Sequence, residues 1–443
     1  MKSFFKKSLA GALSALMLAS CAAPAMAANT EDVDYIITNP YETVDWENWN
    51  HYKAMLHAHT LYSDGEMAIT DVVEEYYAQD YDILAITDHG VVNQGWDKVP
   101  EMLPLIGYNK YIKKLEPVSA ARYKEITNGT DRDGRGMLDV EKGIEMNGVG
   151  MRKNHVNGFF CGYGQGIWGV EEDYETPVAE TEKAGGISFI DHPGDFYNAS
   201  GDINRAYDYS NLKVWCDIFM KYKTCVGIEV YNEGDGVARY DRIIWDNILQ
   251  YTVPRGRVVW GFSNDDSHWL STIGLTAEMF LMPENTNEAL RTAMENGTFF
   301  ACSTISKVEM GEEFEGNGDY ATVNNIVIDE IEDTISVTID SNSDYTVEWI
   351  ADGEVIAYGD SIDLDMYSDS IRSYVRFQIK NDGGIVLSQP FVTDDGNFEE
   401  YQFELPADPD YGTIGNIFYN LYLKLRRTLI GELIYRAAVL DNM

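Results

Sequence analysis

From about Lys53 to Cys302, short apolar runs alternate with stretches of helical spacing, which is the pattern of βα units around parallel strands. The strand candidates are Ala54–His57, Ile83–Thr87, Val156–Cys161, Ile187–Ile190, Val226–Tyr231 and Val258–Phe262. Polar or charged residues follow each of them, at the end where a parallel barrel carries its functional groups. Between the strands, Asp71 with Glu74 reads as a capping box opening a helix through Tyr77, and Arg239–Gln250 and Asn287–Asn296 also have helical spacing. The stretch from Asn93 to Arg135 breaks the rhythm with Pro, Gly and mixed charge, so it reads as an insertion over the active-site face.

Near Ser303 the period changes. Alternating runs at Ile335–Ile339, Tyr345–Ile350 and Tyr374–Ile379, separated by turns such as Asp352-Gly353 and Asn381-Asp382-Gly383-Gly384, predict a small β-sandwich over 303–405. In 411–443, Ile417, Leu421, Leu425, Leu429 and Leu433 recur at intervals of four beside Lys424, Arg426 and Arg427, which predicts an amphipathic helix. Docking onto the protein's own barrel is its first reading, and weak contact with a membrane surface is the second.

Composition narrows the setting. A chain of 443 residues with 45% hydrophobic residues can fill a large core, in a barrel over 28–302 and the smaller units after it. Acidic residues outnumber basic ones 73 to 33, a net charge of −40, which argues against a nucleic-acid duplex or an anionic membrane as partner of the whole surface. Lys2, Lys6 and Lys7 followed by the apolar run Leu9–Ala19 predict an export signal, 1–27, cleaved after Ala25-Met26-Ala27. Leu18-Ala19-Ser20-Cys21 offers a competing lipobox, so the expected location is extracellular or at the cell surface. The remaining cysteines, Cys161, Cys216, Cys225 and Cys302, permit disulfides without revealing a pairing; for Cys161 and Cys225 the simpler reading is a small buried hydrophobe.

The chemistry lies in the histidines. Of seven, only His51 falls outside a series placed at strand ends beside carboxylates. His57-Ala58-His59 puts two imidazoles on one face of a strand, because side chains alternate with period two. Asp64 follows on the turn after that strand. Asp88-His89 ends the next strand, Glu145 and His155 come after the insertion, Asp191-His192 ends another strand, and Asp266-x-His268 closes the series. Imidazole mixed with carboxylate and without thiolate suits Zn, Mn or Fe rather than Ca or Mg. Two or three such ions close together lower the pKa of a water and clamp a phosphoryl group, so hydrolysis is the expected reaction. Asp88 and Asp191 each precede one of these histidines and either orient an imidazole or simply face a neighbouring strand. Arg152, Lys153 and Asn232 are weaker candidates for substrate contact. Glu229 reads as structural. Asp131, Asp133 and Gly136 imitate half a calcium loop, but its twelfth position is Lys142, where a bidentate Glu is required.

Taken together, His57 to His268 resembles the PHP family, named for polymerase-associated and histidinol-phosphatase-like phosphoesterases, with looser similarity to about Ala301. The resemblance implies a distorted (β/α)7 TIM-like barrel and a trinuclear metal site. His57, His59, Glu145 and Asp266 would hold one ion, Glu145, His155 and His192 a second, and Asp64, His89 and His268 a third. Glu145 would bridge the first two, and Glu145, Asp266 and His268 would take the catalytic roles. The implied activity is an exported phosphoesterase cleaving phosphate mono- or diesters of a small molecule or of the cell envelope by a metal-activated water.

Ile273–Met282 followed by Glu288–Ala301 is similar to exported PHP proteins related to carbaryl-hydrolysing enzymes, which keeps carboxylic or carbamate ester hydrolysis as an alternative. An amidohydrolase would begin with the same H-x-H but needs a strand-end lysine, and none stands between Val156 and Ile190. A non-enzymatic surface binding protein is the third reading.

Overall fold

The computed structural model describes residues 33–100, 116–147, 154–166, 174–196, 202–236 and 238–400. The predicted export signal with Cys21, the pair Arg152 and Lys153, and the predicted C-terminal helix lie outside the described residues.

Strands β1 (Ile36–Thr38), β2 (Asn50–Met55), β3 (Ile83–Leu84) and β4 (Leu138–Asp139) open the chain, followed by β5 (Ile144–Met146), β6 (Val156–Phe159) and β7 (Ile187–Ile190). Next come β8 (Cys225–Asn232), β9 (Trp260–Asn264), β10 (Thr276–Met282) and β11 (Phe299–Ser303). Eight more follow: β12 (Thr322–Asp329), β13 (Thr334–Asp340), β14 (Thr346–Ala351), β15 (Glu354–Tyr358), β16 (Ser361–Asp363), β17 (Tyr374–Asn381), β18 (Gly384–Leu387) and β19 (Phe391–Asp394). One sheet runs β5-β6-β7-β8-β9. A second runs β1-β19-β17-β18-β11-β10-β2-β3-β4, with β14 beside β17 and β15 beside β14, and β12-β13-β16 form a third. Of the alternating C-terminal strands, β14 and β17 therefore continue the sheet of the first half through the antiparallel pair β11–β18, whereas β13 belongs to the third sheet.

The two larger sheets meet past the ends of their ladders. The amide of Thr87 donates to the Ala58 carbonyl at 2.9 Å, that of Glu145 to Thr87 at 3.0 Å, and that of His59 to Ser267 at 3.1 Å. Isolated parallel bridges Ala58–Ser267 and His89–Glu145 mark the same junctions. The chain segments just beyond β9, β2 and β3 thus lie side by side and against β5, and they carry most of the histidines.

Two expectations are corrected. The strand series is not uniformly parallel, because β6 runs antiparallel to both β5 and β7. That reversal explains why His155 precedes its strand whereas His192 follows one: the N-terminal end of β6 lies at the same rim as the C-terminal end of β7. The helix expected to open at a capping box starts earlier, at Ile69, and runs to Ala78; its N-cap, Ala68, makes no side-chain cap bond. The buried stripe Ile69, Val72, Val73, Tyr76 and Tyr77 fixes that start. Glu74 instead takes a two-pronged bond from Arg122, 2.8 Å on each prong, in the helix Ala120–Asn128 of the insertion. The helices Asp241–Thr252 and Asn287–Asn296 form where helical spacing places them. Asp131 accepts from Tyr77 and Arg122 at 2.5 and 2.9 Å, in keeping with a loop rather than a calcium site. All four cysteines among the described residues are buried thiols.

Candidate metal centre

Glu145 is the hub. Its Oε2 lies 2.9 Å from His59 Nε2, 3.1 Å from His89 Nδ1 and 3.3 Å from His57 Nε2. Its Oε1 lies 2.5 Å from His155 Nδ1 and 3.7 Å from His192 Nε2. Asp266 Oδ1 stands 3.2 and 3.0 Å from the same His57 and His59 nitrogens, and its Oδ2 stands 3.6 Å from His192. On the outer side, Asp64 reaches His89 Nε2 at 3.4 Å, His268 Nε2 at 3.3 Å and His59 Nδ1 at 3.5 Å. All nine predicted ligands therefore converge.

The spacing fits metal coordination. Two ligand atoms each about 2.1 Å from one ion sit roughly 3.0–3.4 Å apart. The sets His57-His59-Glu145-Asp266, His89-Glu145-His155 and His59-Asp64-His89-His268 each bring one atom per residue within 4.8 Å of the others. His89 and His59 are thus each placed to serve two of these sets. Both Glu145 oxygens and Asp266 Oδ1 are buried with only ring nitrogens around them, a donor set that a divalent cation would satisfy.

Local sequence builds the positions. Gly65 lies so close behind His59 that a Cβ there would stand 2.8 Å from the His59 carbonyl carbon, and this close return lets Asp64 face back toward the imidazoles. Asp88 touches no imidazole. It accepts from the Thr60 amide, the Thr60 hydroxyl and the Ser63 hydroxyl at 2.8, 2.7 and 2.6 Å, and Ser63 Oγ meets His59 Nδ1 at 3.2 Å. Asp265 fixes the closing loop by accepting from the Gly274 and Thr276 amides, the Thr276 hydroxyl and Tyr76. Burial pushes its carboxyl up to about 6 against those donors. That anchoring supports Asp266 at φ 46, a left-handed conformation costly for a residue with a Cβ.

Glu229, read as structural from the sequence, organises the inner wall. Its carboxylate receives His57 Nδ1 at 2.8 Å and, at 2.9 Å each, the His192 amide, Asn232 Nδ2 and Asn264 Nδ2. Its signal was a carboxylate inside an otherwise apolar strand. Asn232, a candidate for substrate contact, spends its amide N–H groups on Glu229 and, at 3.4 Å, on Asp266. Asp191 stands within ligand range of His57 and Glu229, with its carboxyl raised by burial. Glu233, unremarked in the sequence, approaches His268 Nδ1 at 3.9 Å.

The electrostatics are those of a charged cage. Burial pushes the Glu145 carboxyl up, but His155, His89 and His57 overcome it and hold it well below the usual range. Burial disfavours charge on His57, His59 and His192 as well, yet Glu145 and Asp266 raise all three, with Glu229 adding to His57 and His192; His192 is raised to about 10.

Comparison with known proteins completes the picture. A two-domain protein from Bacteroides vulgatus, said to contain a predicted PHP-like metal-dependent phosphoesterase, is 16% identical over 82% of this chain and 99% of its own, with a TM-score of 0.41. A provisionally named metal-dependent phosphoesterase from Bifidobacterium adolescentis is 15% identical over 49% of this chain and 87% of its own, TM-score 0.27. An amidohydrolase from Chromobacterium violaceum, with bound sulfate and no metal, is 16% identical over 48% and 87%, TM-score 0.29. No curated protein matches. Residues 55–158, which carry His57, His59, Asp64, His89, Glu145 and His155, match the family model of the PHP domain.

Proposed function

We propose that the protein is an exported metal-dependent hydrolase, a phosphoesterase of phosphate mono- or diesters, working at a cluster of up to three divalent ions. The observation that carries this reading is the Glu145 carboxylate, with three imidazoles around one oxygen and two around the other. One carboxylate so placed can serve two ions at once. Bound ions would supply a Lewis acid for the phosphoryl oxygens and a water of lowered pKa. The protein's own part is to hold the ligands rigidly, with Glu229 and Asp265 fixing imidazole and loop geometry from behind. Asp64 and His268, the more exposed ligands, mark the side from which an ester would reach the cluster. We read the ring of strand ends around this cage as the rim of a distorted barrel, and 303–405 as an accessory β unit.

The test is elemental analysis of the purified protein together with hydrolysis of a generic aryl phosphate monoester and diester, before and after chelation. Two or three transition-metal ions per chain and chelator-sensitive turnover would support the reading. Bound metal with turnover only of carboxylic or carbamate esters would replace it, and a metal-free protein would overturn it.

A further inference from the structure

We propose that Trp269 is a stacking platform for the leaving group, so that the preferred substrates are esters whose alcohol carries a planar aromatic ring. This inference rests on the hydrolase reading and deepens it.

Trp269 directly follows the ligand His268, and the two rings lie 5.5 Å apart between centroids, tilted by 40°. Its side chain stays 46% exposed, and the next residue, Leu270, is 61% exposed. Trp96, Trp215, Trp245 and Trp349 are each fully buried, the usual fate of so large an apolar group. A lone exposed hydrophobe needs no explanation. This pair differs by its place, at the rim formed by Asp64 and His268, where the cluster opens to solvent while His57 and His59 are fully buried.

The ring is also presented on fixed backbone. The short 3-10 turn Leu270–Thr272 follows it, the Thr272 hydroxyl donates to the Trp269 carbonyl at 2.9 Å, and the Thr272 amide donates to the same carbonyl at 3.1 Å. The His268 carbonyl is held in turn by the Glu66 amide at 2.8 Å. On a fixed backbone only the two side-chain torsions of the indole remain to be ordered on contact, and its face attracts flat rings in offset or edge contact. An ester whose phosphoryl group sits among Glu145, Asp266 and His268 would extend its leaving group outward past His268, into reach of that face. A short alkyl group would leave the indole in water.

The experiment compares kcat/KM for benzyl phosphate and ethyl phosphate on the metal-loaded full chain, because the two leaving alcohols are of similar acidity and differ in the ring. Wild type is expected to favour the benzyl ester. Trp269→Ala and Trp269→Leu should each reduce the benzyl-to-ethyl ratio about tenfold, the scale of one ring–aromatic stack, whereas Trp269→Phe retains most of it. Metal content measured alongside identifies a variant whose site has collapsed, and the Leu variant keeps apolar bulk in place. A wild-type ratio near one, or a ratio that stays within about twofold of wild type in both variants, overturns the proposal. Should neither phosphate be cleaved, the monoesterase form of the phosphoesterase reading fails separately. The platform is then read by calorimetry of benzylphosphonate against ethylphosphonate: a benzyl preference lost in Trp269→Leu supports it, and equal affinities overturn it.

Discussion

Nδ1 of His57 lies 2.8 Å from Oε1 of Glu229, with both side chains fully buried. A carboxylate only accepts, so this contact places a ring proton on Nδ1, and Nε2, which faces Glu145 and Asp266, is the nitrogen left to serve a metal once a cation displaces its proton. Glu229→Gln would oppose an amide donor to one of the four donors that now converge on the carboxylate. Metal affinity is expected to fall about 10–100-fold, the usual effect of losing an outer partner of a ligand histidine. Isothermal titration of the chelated protein checks this, and an affinity equal to wild type would count against an orienting role.

Glu145→Gln should have the larger effect, because one residue contacts five imidazoles. Bound metal and hydrolysis are expected to fall together, each by at least about tenfold if the carboxylate bridges two ions. His51 serves as the control. It lies on β2 opposite Leu281, outside the cluster, and His51→Ala should keep its metal. Normal metal content in Glu145→Gln, measured by elemental analysis, would remove the hub from the site.

How far the site was legible follows from the kind of information each residue carries. The nine candidate ligands could be found because histidines are few, and six of the seven stand at a strand end with carboxylates nearby. Strand direction was not legible: four residues such as Val156–Phe159 read the same in either sense, and only their pairing between β5 and β7 reveals the reversal. Glu229 and Asn232 were both noticed at the end of β8, yet their partners His57, Asn264 and Asp266 are distant in sequence, so no local pattern separates a positioning residue from a substrate contact. Asp88 was open between two readings. Its place beside His89 allowed either a bond to an imidazole or a role toward a neighbouring strand; its bonds go to Thr60 and Ser63, and it reaches His59 only through the serine hydroxyl.

The charge state of the cage predicts a pH dependence for the metal-free protein. His57, His59 and His192 are raised, the last to about 10, so their stabilising charge is fully present below the ordinary histidine value of 6.5 and is lost as pH rises toward 10. Glu145 and Asp266 are lowered, so their contribution is present above ordinary carboxylate values and is lost only at strongly acidic pH. Chelated protein should therefore lose thermal stability between about pH 7 and 10. Metal-loaded protein should resist that loss, since the cation replaces the protons, and loading should release protons at neutral pH. Melting curves with and without chelator, with proton release followed by an indicator dye, test both. A metal-free Tm independent of pH over that range would contradict the cage electrostatics.

A buried ion pair ties the C-terminal strands to the half that carries the histidine cluster. Asp246, on the helix Asp241–Thr252, accepts from Arg376 Nη2 at 2.6 Å and Nε at 2.9 Å, and from the Tyr374 hydroxyl at 2.9 Å; both Arg376 and Tyr374 belong to β17. The ion pair is nearly excluded from water, with 4% and 5% of the two side chains exposed. Breaking it from one side leaves an uncompensated buried charge, so Asp246→Ala should cost about 3–5 kcal/mol in urea unfolding. Replacing both partners with apolar residues, Asp246→Leu with Arg376→Met, should recover much of that, because neither charge then remains to be desolvated. Since β18 also pairs with β11, the loss should appear in the transition that releases the metal as well as in the transition of the C-terminal strands. A metal-release midpoint unmoved by Asp246→Ala would show that the two halves unfold independently despite the shared sheet.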